Sequence, residues 1–223
     1  NAELNNYRKS LDAHCNTEFN YFCDVYADYL PKGLKEEMNR KNGAVEQLDY
    51  LYKECKKHDL KIYLFIDEFS ALQDSRIAEI AIKLFQALGY GVEIAPIKDS
   101  GRTFISKGMV KRAKKLAKQN IDKIKNLINK ENVLVGIEPS SLLSFRDEYP
   151  SLVEEDIEQL NSNIYLFDEF FAKEIEENNI SAEQFTQKAE KILLHGHCQQ
   201  KALIGSVYME KMLSLPKNYS VEV

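Results

Sequence analysis

The sequence lacks long hydrophobic runs, because no apolar stretch approaches the roughly 18 residues that a membrane-spanning helix needs. It shows no signal-peptide pattern near its first residue. It also lacks an excess of positive charge, since 35 acidic residues outnumber 30 basic ones and leave a net charge of -5. We therefore expect a cytoplasmic protein that has no membrane span and binds no nucleic acid.

Cysteine is scarce. The sequence has four of these residues, Cys15, Cys23, Cys55 and Cys198. No two of them have the C-x-x-C spacing of a zinc or thiol–disulfide site. Scattered cysteines in a chain rich in Lys and Glu are typical of a reducing compartment, which also favours the cytoplasm.

Residues 1–58 have the pattern of a helical arm. Apolar residues recur there at helical spacing, at Leu11, Cys15, Phe19, Phe22, Tyr26 and Tyr29. Pro31 and Gly33 would end this helix, and residues 45–58 form a second helical run. We interpret this aromatic face as a packing arm rather than as a cofactor-binding surface.

From residue 59 onward, short apolar runs alternate with helical patterns. The predicted strands are residues 62–66, 91–95, 133–137, 191–195 and 219–223. The predicted helices are residues 77–88, a long helix capped by Ser106, and residues 140–149, 164–177 and 200–213. This alternation predicts an α/β domain over residues 59–223, with a doubly wound, mostly parallel, Rossmann-like sheet.

Two segments of this domain resemble each other. Residues 62–69 read IYLFIDEF and residues 164–171 read IYLFDEFF. Because a short apolar run cannot be assigned by pattern alone, we interpret the likeness as coincidental and keep the second segment in a helix.

Polar segments directly follow four of the predicted strands. In a doubly wound sheet, ligands bind beyond the carboxyl ends of the strands, so these segments predict a polar cleft. Its predicted lining residues are Asp67, Glu68, Ser100, Gly101, Arg102, Glu138, Ser140, Ser141 and Arg146, together with His195, His197, Cys198 and Lys201.

The segment from His195 to Lys201 carries the densest chemistry. A thiolate at Cys198, near Lys201 and a helix start, would have a lowered pKa and could bind metal. His195 and His197 alternate on an extended segment, so at most one of them joins Cys198 at a common centre. The alternative is a pair of hydrogen-bonded histidines in a strand-to-helix turn.

The other segments leave two interpretations open. Arg102 could hold a carboxylate or phosphate, or it could pair with Asp99 or Glu138. Ser140 could line the cleft or cap the next helix, and Arg146 could reach the cleft or form a local ion pair.

Charge is unevenly distributed along the domain. Residues 98–130 are mostly basic and residues 144–190 mostly acidic. Five basic residues cluster in one helix, at Lys111, Arg112, Lys114, Lys115 and Lys118. This helix is either a solvated face or a surface that docks onto an acidic neighbouring domain.

Four separated motifs resemble a known family in the same order. They are YLFIDEF (63–69), SGRTFISKGMVKRAKKLAKQNI (100–121), VGIEPSSLLSFRDEYPSL (135–152) and LHGHCQQKAL (194–203). The chain is similar in these motifs to the cysteine-rich CCG-type domain at the C-terminus of FAD-linked oxidases of the D-lactate dehydrogenase type. Related domains occur in the glycolate oxidase iron–sulfur subunit, the anaerobic glycerol-3-phosphate dehydrogenase C subunit and heterodisulfide reductase B subunits.

The resemblance implies a domain of an FAD-linked iron–sulfur oxidoreductase that oxidises a 2-hydroxy acid, such as D-lactate or glycolate, and relays electrons. Its partners would be flavin-binding and ferredoxin-like domains of the same polypeptide, with FAD on an upstream domain. Cys198 would be a metal ligand, and His195, His197 and Lys201 would join it as catalytic residues.

The family's cysteine pattern is incomplete here, since Glu68, Ser100 and Ser141 stand where the family often has Cys. The resemblance implies a double-cysteine segment beyond Val223, so an iron–sulfur centre is expected only in a longer polypeptide. The alternative is a non-catalytic scaffold domain that docks the flavin module.

Overall fold

Four parallel strands form a central sheet in the order β2-β1-β3-β4. The strands are β1 (Lys61–Phe65), β2 (Gly91–Ile94), β3 (Asn132–Gly136) and β4 (Ile164–Leu166). In the register of β1 and β3, Lys61 faces Asn132 and Phe65 faces Gly136. The computed structural model describes residues 58–73, 75–97 and 99–223, so the helical arm predicted for residues 1–58 lies outside the described residues, apart from His58.

Helices connect the strands and cover both faces of the sheet. In chain order they are α1 (Glu68–Gln73), α2 (Ser75–Ala87), α3 (Arg102–Ser106), α4 (Val110–Ile124), α5 (Pro139–Arg146), α6 (Tyr149–Leu152), α7 (Glu158–Asn161), α8 (Phe167–Glu176), α9 (Cys198–Leu203) and α10 (Val207–Leu213). A short 3-10 turn, Ala182–Gln184, follows α8.

The first face of the sheet packs against α2 and α8. Ile62 and Leu64 of β1 and Val135 of β3 share a buried cluster with Phe85 of α2 and Phe170 of α8. Each fully buried side chain of this size contributes about 1.5–3 kcal/mol to stability.

The second face packs against α4 and α5. Phe65 of β1 and Leu134 of β3 share another cluster with Ile121 of α4 and with Leu142 and Phe145 of α5. Strands β1 and β3 are therefore covered on both sides, which explains why they read as continuous apolar runs, whereas Glu93 and Ile94 of the edge strand β2 are exposed. The predicted doubly wound, parallel α/β fold is confirmed.

The last two strands do not join the central sheet. Strands β5 (Glu190–Leu193) and β6 (Tyr219–Glu222) pair with each other in parallel and form a separate two-stranded sheet. The expectation of one sheet containing all predicted strands is therefore wrong. The fourth strand of the central sheet is β4, which begins the segment assigned to a helix over residues 164–177.

Strand β4 has only three residues, and its sequence resembles that of β1. Ile164 and Leu166 are buried against β3, so tertiary packing selects a strand there. Both IYLF segments are therefore strands that lead into helices, and the interpretation of their likeness as coincidental missed this shared local structure.

Two helix starts also differ from prediction, each because of a glycine with positive φ. Ser106 ends α3 instead of capping the long helix, because the chain turns at Gly108 (φ 67°) before α4 begins. The single helix predicted over residues 200–213 is divided into α9 and α10 at Gly205 (φ 78°).

Candidate ligand site at the carboxyl edge of the central sheet

The loop after β1 turns into α1 through a buried carboxylate. Asp67, 1% exposed, accepts hydrogen bonds from the backbone N–H groups of Phe69 (2.8 Å) and Ser70 (3.0 Å) and from the Ser70 hydroxyl (2.6 Å). It therefore acts as a helix cap, and its oxygens are engaged within its own turn.

Glu68 joins the loop after β1 to the loop after β2. Its Oε1 accepts a hydrogen bond from the Ser100 hydroxyl (2.6 Å), and its Oε2 accepts one from the Ser100 N–H (2.9 Å). Burial raises the pKa of Glu68 above its ordinary value, while the hydrogen bonds from Ser100 partly offset this effect. We call this pair of contacts the Glu68–Ser100 bridge.

Buried polar groups support the bridge from behind. The Tyr149 hydroxyl donates to the Ser100 carbonyl (2.8 Å) and accepts from the Asn120 amide (2.8 Å). Asn120 also donates to the Asp99 carbonyl (2.8 Å). Burial raises the pKa of Tyr149, so its phenol stays a hydrogen-bond donor.

Arg102 forms an ion pair with a carboxylate that lies between α5 and α6. Its guanidinium pairs with Glu148, rather than with Asp99 or Glu138 as the sequence suggested. The second oxygen of Glu148 is buried and has no hydrogen-bond partner in the described part of the chain. Gly101, with φ 73°, provides the left-handed turn that precedes Arg102.

Glu138, in the loop after β3, caps the start of helix α5. Its carboxylate accepts from the N–H groups of Ser140 (3.1 Å) and Ser141 (2.6 Å) and from the Ser140 hydroxyl. Ser140 is thus held by the cap and is not itself the cap. The Ser141 hydroxyl oxygen is fully buried and finds no partner among the described residues.

His197 brings the last predicted segment to this edge. Its Nε2 lies 3.6 Å from Glu138 Oε1, and its Nδ1 accepts a hydrogen bond from the Gln199 N–H. In a neutral ring, the proton therefore lies on Nε2, facing Glu138. His195, Cys198 and Lys201 are exposed.

Sequence reasoning missed a second contact of this segment. Gln200, 1% exposed, donates through its side-chain amide to Asp168 Oδ2 at the start of α8 (2.5 Å). Its side-chain oxygen Oε1 is buried without a partner in the described structure. Burial raises the pKa of Asp168. Asp168 follows IYLF in chain order much as Asp67 does, so the sequence likeness was the signal that could have found it.

Arg146, at the end of α5, pairs with the first turn of α8. Its guanidinium donates to both oxygens of Glu169 (2.9 and 2.6 Å), so Arg146 forms an ion pair, but with a residue of another helix and not with a neighbour in sequence. Arg146 also lines a pocket of about 400 Å³ with Asp156, Ile157 and Asn161. Of the predicted cleft residues, Arg146 alone lines this pocket.

The structure therefore brings most of the predicted segments to one edge of the sheet. Their charged groups, however, contact other residues of the protein. Arg102 and Arg146 each pair with a carboxylate, and the Glu68 and Glu138 oxygens accept protein hydrogen bonds. The catalytic and metal-binding roles assigned to these residues stay predictions.

The available ligand atoms show whether the described residues could hold an iron–sulfur centre. Such a centre is commonly held by four thiolates. Cys198 is the one cysteine within residues 58–223, and no group of three or more His, Cys, Asp or Glu side chains there is arranged to hold a metal ion. The described residues do not fit an iron–sulfur centre.

The fold and this edge define the class: a doubly wound α/β domain whose polar side chains meet beyond the carboxyl ends of its strands. The chain is 26% identical over 159 residues to the D-2-hydroxyglutarate dehydrogenase of Escherichia coli (strain K12). The matched region covers 71% of this chain and 15% of that protein.

Two further relatives carry the same name. The protein from Haemophilus influenzae is 27% identical over 119 residues, covering 53% of this chain and 11% of that protein. The protein from Pantoea ananatis is 24% identical over 159 residues, with coverage of 71% and 15%. No family model matches the sequence, and no solved structure matches it.

This chain therefore spans at most 15% of the length of these relatives. The relatives are named as oxidoreductases of a 2-hydroxy acid, the class that the sequence motifs predicted. None of the helices within the described ranges is both long and apolar enough to cross a bilayer.

Proposed function

We propose that the chain is a domain of a cytoplasmic, FAD-linked dehydrogenase that oxidises a 2-hydroxy acid such as D-2-hydroxyglutarate, D-lactate or glycolate. The observation that carries the proposal is the match to D-2-hydroxyglutarate dehydrogenases over 71% of the chain. FAD and the reacting carbon of the hydroxy acid would lie on other domains of the same polypeptide, including flavin-binding and ferredoxin-like domains.

The charges at the carboxyl edge support a role away from substrate oxidation. A 2-hydroxy acid carries a carboxylate and needs a cation to bind it. The two arginines of this edge, Arg102 and Arg146, are already paired with Glu148 and Glu169. Binding an anion through either arginine would require breaking its ion pair, so we assign the domain a supporting role.

The basic helix α4 favours docking as that supporting role. Lys114 and Lys118 form ion pairs within the domain. Lys111, Arg112 and Lys115 are exposed and have no carboxylate within ion-pair distance among the described residues. The Arg112 guanidinium lies 5.9 Å from the Phe104 ring centre, which places an aromatic group beside these cations.

Unpaired cations next to apolar side chains suit an acidic protein surface. Val110, at the start of α4, is 58% exposed and adds apolar area to the same end of the helix. An acidic patch on the flavin-binding domain would pair with Lys111, Arg112 and Lys115 and set the orientation of the two domains.

Grafting the chain into a relative tests the proposed function. The matching region of the Escherichia coli D-2-hydroxyglutarate dehydrogenase is replaced by residues 58–223, and dye reduction driven by D-2-hydroxyglutarate is measured together with FAD content. We expect the graft to keep FAD and activity to within about tenfold of the parent. A deletion of the same region serves as the baseline. A graft as inactive as the deletion would contradict the proposal.

Charge reversal in the same graft tests the docking role. Lys111→Glu with Lys115→Glu should lower activity by about tenfold, mainly at low salt, where exposed charges are least screened. The matched control is Lys130→Glu with Lys188→Glu, two exposed lysines away from α4. Equal loss in both double variants would show that α4 has no special part in docking.

A further inference from the structure

Two positions at which the resembling family often has cysteine are in direct contact in this chain. Glu68 and Ser100 are joined by a hydroxyl-to-carboxylate bond of 2.6 Å and an N–H-to-carboxylate bond of 2.9 Å. The pair connects the loops after β1 and β2, which are separate in sequence. Both oxygens of Glu68 are therefore engaged by protein hydrogen atoms and are not directed at a common metal.

Ser100 is fully engaged as well. Its hydroxyl donates to Glu68 and accepts from the Arg102 N–H (3.1 Å). Its N–H donates to Glu68 and its carbonyl accepts from Tyr149. Ser100 is 0% exposed, so breaking these bonds would leave several buried polar groups without partners.

The bridge belongs to a network that extends behind the edge. Asn120 of α4 and Tyr149 of α6 are each 1% exposed and connect through hydrogen bonds of 2.8 Å to the backbone of Asp99 and Ser100. Hydrogen bonds shielded from water are stronger than exposed ones, because the surroundings have a low dielectric constant. This network fixes two loops and two helices relative to each other.

We infer that the Glu68–Ser100 bridge cross-links the loops after β1 and β2 without a metal, at positions where the family resemblance implies cysteine ligands. The inference concerns contacts within the described residues and does not depend on the proposed function. The third such position, Ser141, contributes a buried hydroxyl in place of a thiolate, and Cys198 is an exposed thiol.

Metal reconstitution tests this inference directly. The 223-residue chain is incubated anaerobically with ferrous iron, sulfide and a thiol reductant, then desalted, and its bound iron and visible absorption are measured. We expect far less than one iron per chain, no charge-transfer band, and a melting temperature that a chelator changes by less than about 1 °C. About four irons per chain that are lost in Cys198→Ser would overturn the inference.

Two variants test the cross-link itself. Glu68→Ala leaves the N–H and hydroxyl of Ser100 without their acceptor, and Ser100→Ala removes one of the two bridging donors. We expect Glu68→Ala to lower the melting temperature by about 4 °C or more and Ser100→Ala by somewhat less. The matched controls, Glu131→Ala and Ser106→Ala, replace exposed residues and should melt within about 1 °C of the parent. Variants of the bridge that melt like these controls would also overturn the inference.

Discussion

The central sheet and the β5–β6 sheet are both parallel, but they differ in what covers them. In β1 and β3, Ile62, Leu64 and Leu134 are fully buried between helices on two faces. In β5, Leu193 is 74% exposed, and the residues of β6 alternate between half-buried and exposed. Parallel strands are usually covered on both faces. Because strands pair in parallel in both sheets, we expect the covering helices, rather than strand pairing, to make the central sheet the more stable part of this domain.

Truncating a leucine in each sheet should give the largest difference. Leu64→Ala in β1 removes a fully buried side chain and should lower the free energy of unfolding by about 3 kcal/mol. Leu193→Ala in β5 makes the same chemical change at an exposed site and should change it by less than about 0.5 kcal/mol. Urea unfolding measures both values, and equal losses would contradict the difference between the sheets.

Replacing a glycine in the central sheet and one outside it by alanine should give a smaller difference in stability. A Cβ at Gly136, the last residue of β3, would lie 2.6 Å from Leu142 Cδ1 and 3.0 Å from Leu142 Cβ. Gly136→Ala should therefore cost about 2 kcal/mol, because β3 and α5 would have to move apart. Gly205→Ala, beyond α9, meets no atom within 4 Å and should cost about 1 kcal/mol, from its φ of +78° alone. A larger loss at Gly205 would reverse this order.

The smallest effect concerns Asp168 at the start of α8, which accepts a hydrogen bond from Gln200 of α9. Burial raises the pKa of Asp168, so the folded state binds a proton there more tightly than the unfolded state. The resulting contribution to stability is complete below the ordinary pKa of 3.8 and is lost as the pH rises through the folded pKa.

Replacing Asp168 by Asn isolates this contribution. The parent should gain stability relative to Asp168→Asn as the pH falls from about 7 towards 4. Urea unfolding of both proteins at each pH provides the measurement, with Glu131→Gln as the exposed control. A constant difference between the parent and Asp168→Asn across this range would show that the buried carboxyl does not titrate as described.

The sequence predicted the central sheet because its longer strands are buried on both faces. The run over residues 133–137 corresponds to β3 with a shift of one residue. It did not predict β4, because a three-residue strand is too short for periodicity to distinguish it from a helix start. Nor did it separate β5 from the central sheet, since apolar character does not report which strands pair.

The candidate site was predictable in its location and not in its contacts. The rule that ligands bind at carboxyl ends of strands brought Glu68, Ser100 and Glu138 to one edge. It could not reveal that Arg102 pairs with Glu148, because that pair joins residues 46 positions apart and depends on how α5 and α6 pack. Buried partners such as Tyr149 of α6 and Gln200 of α9 have no sequence pattern that distinguishes them from other helical residues.

Among the described residues, one tyrosine is buried on each face of the central sheet. Tyr90 donates to Glu174 in the cluster around Phe85, and Tyr149 lies in the cluster around Ile121. Burial raises the pKa of both phenols, and for Tyr90 the bond to Glu174 adds to the effect. Neither phenol ionises readily while its cluster is intact. The ultraviolet band of phenolate should therefore gain the contribution of Tyr90 and Tyr149 only on alkaline unfolding, in addition to the contribution of the other ten tyrosines of the chain.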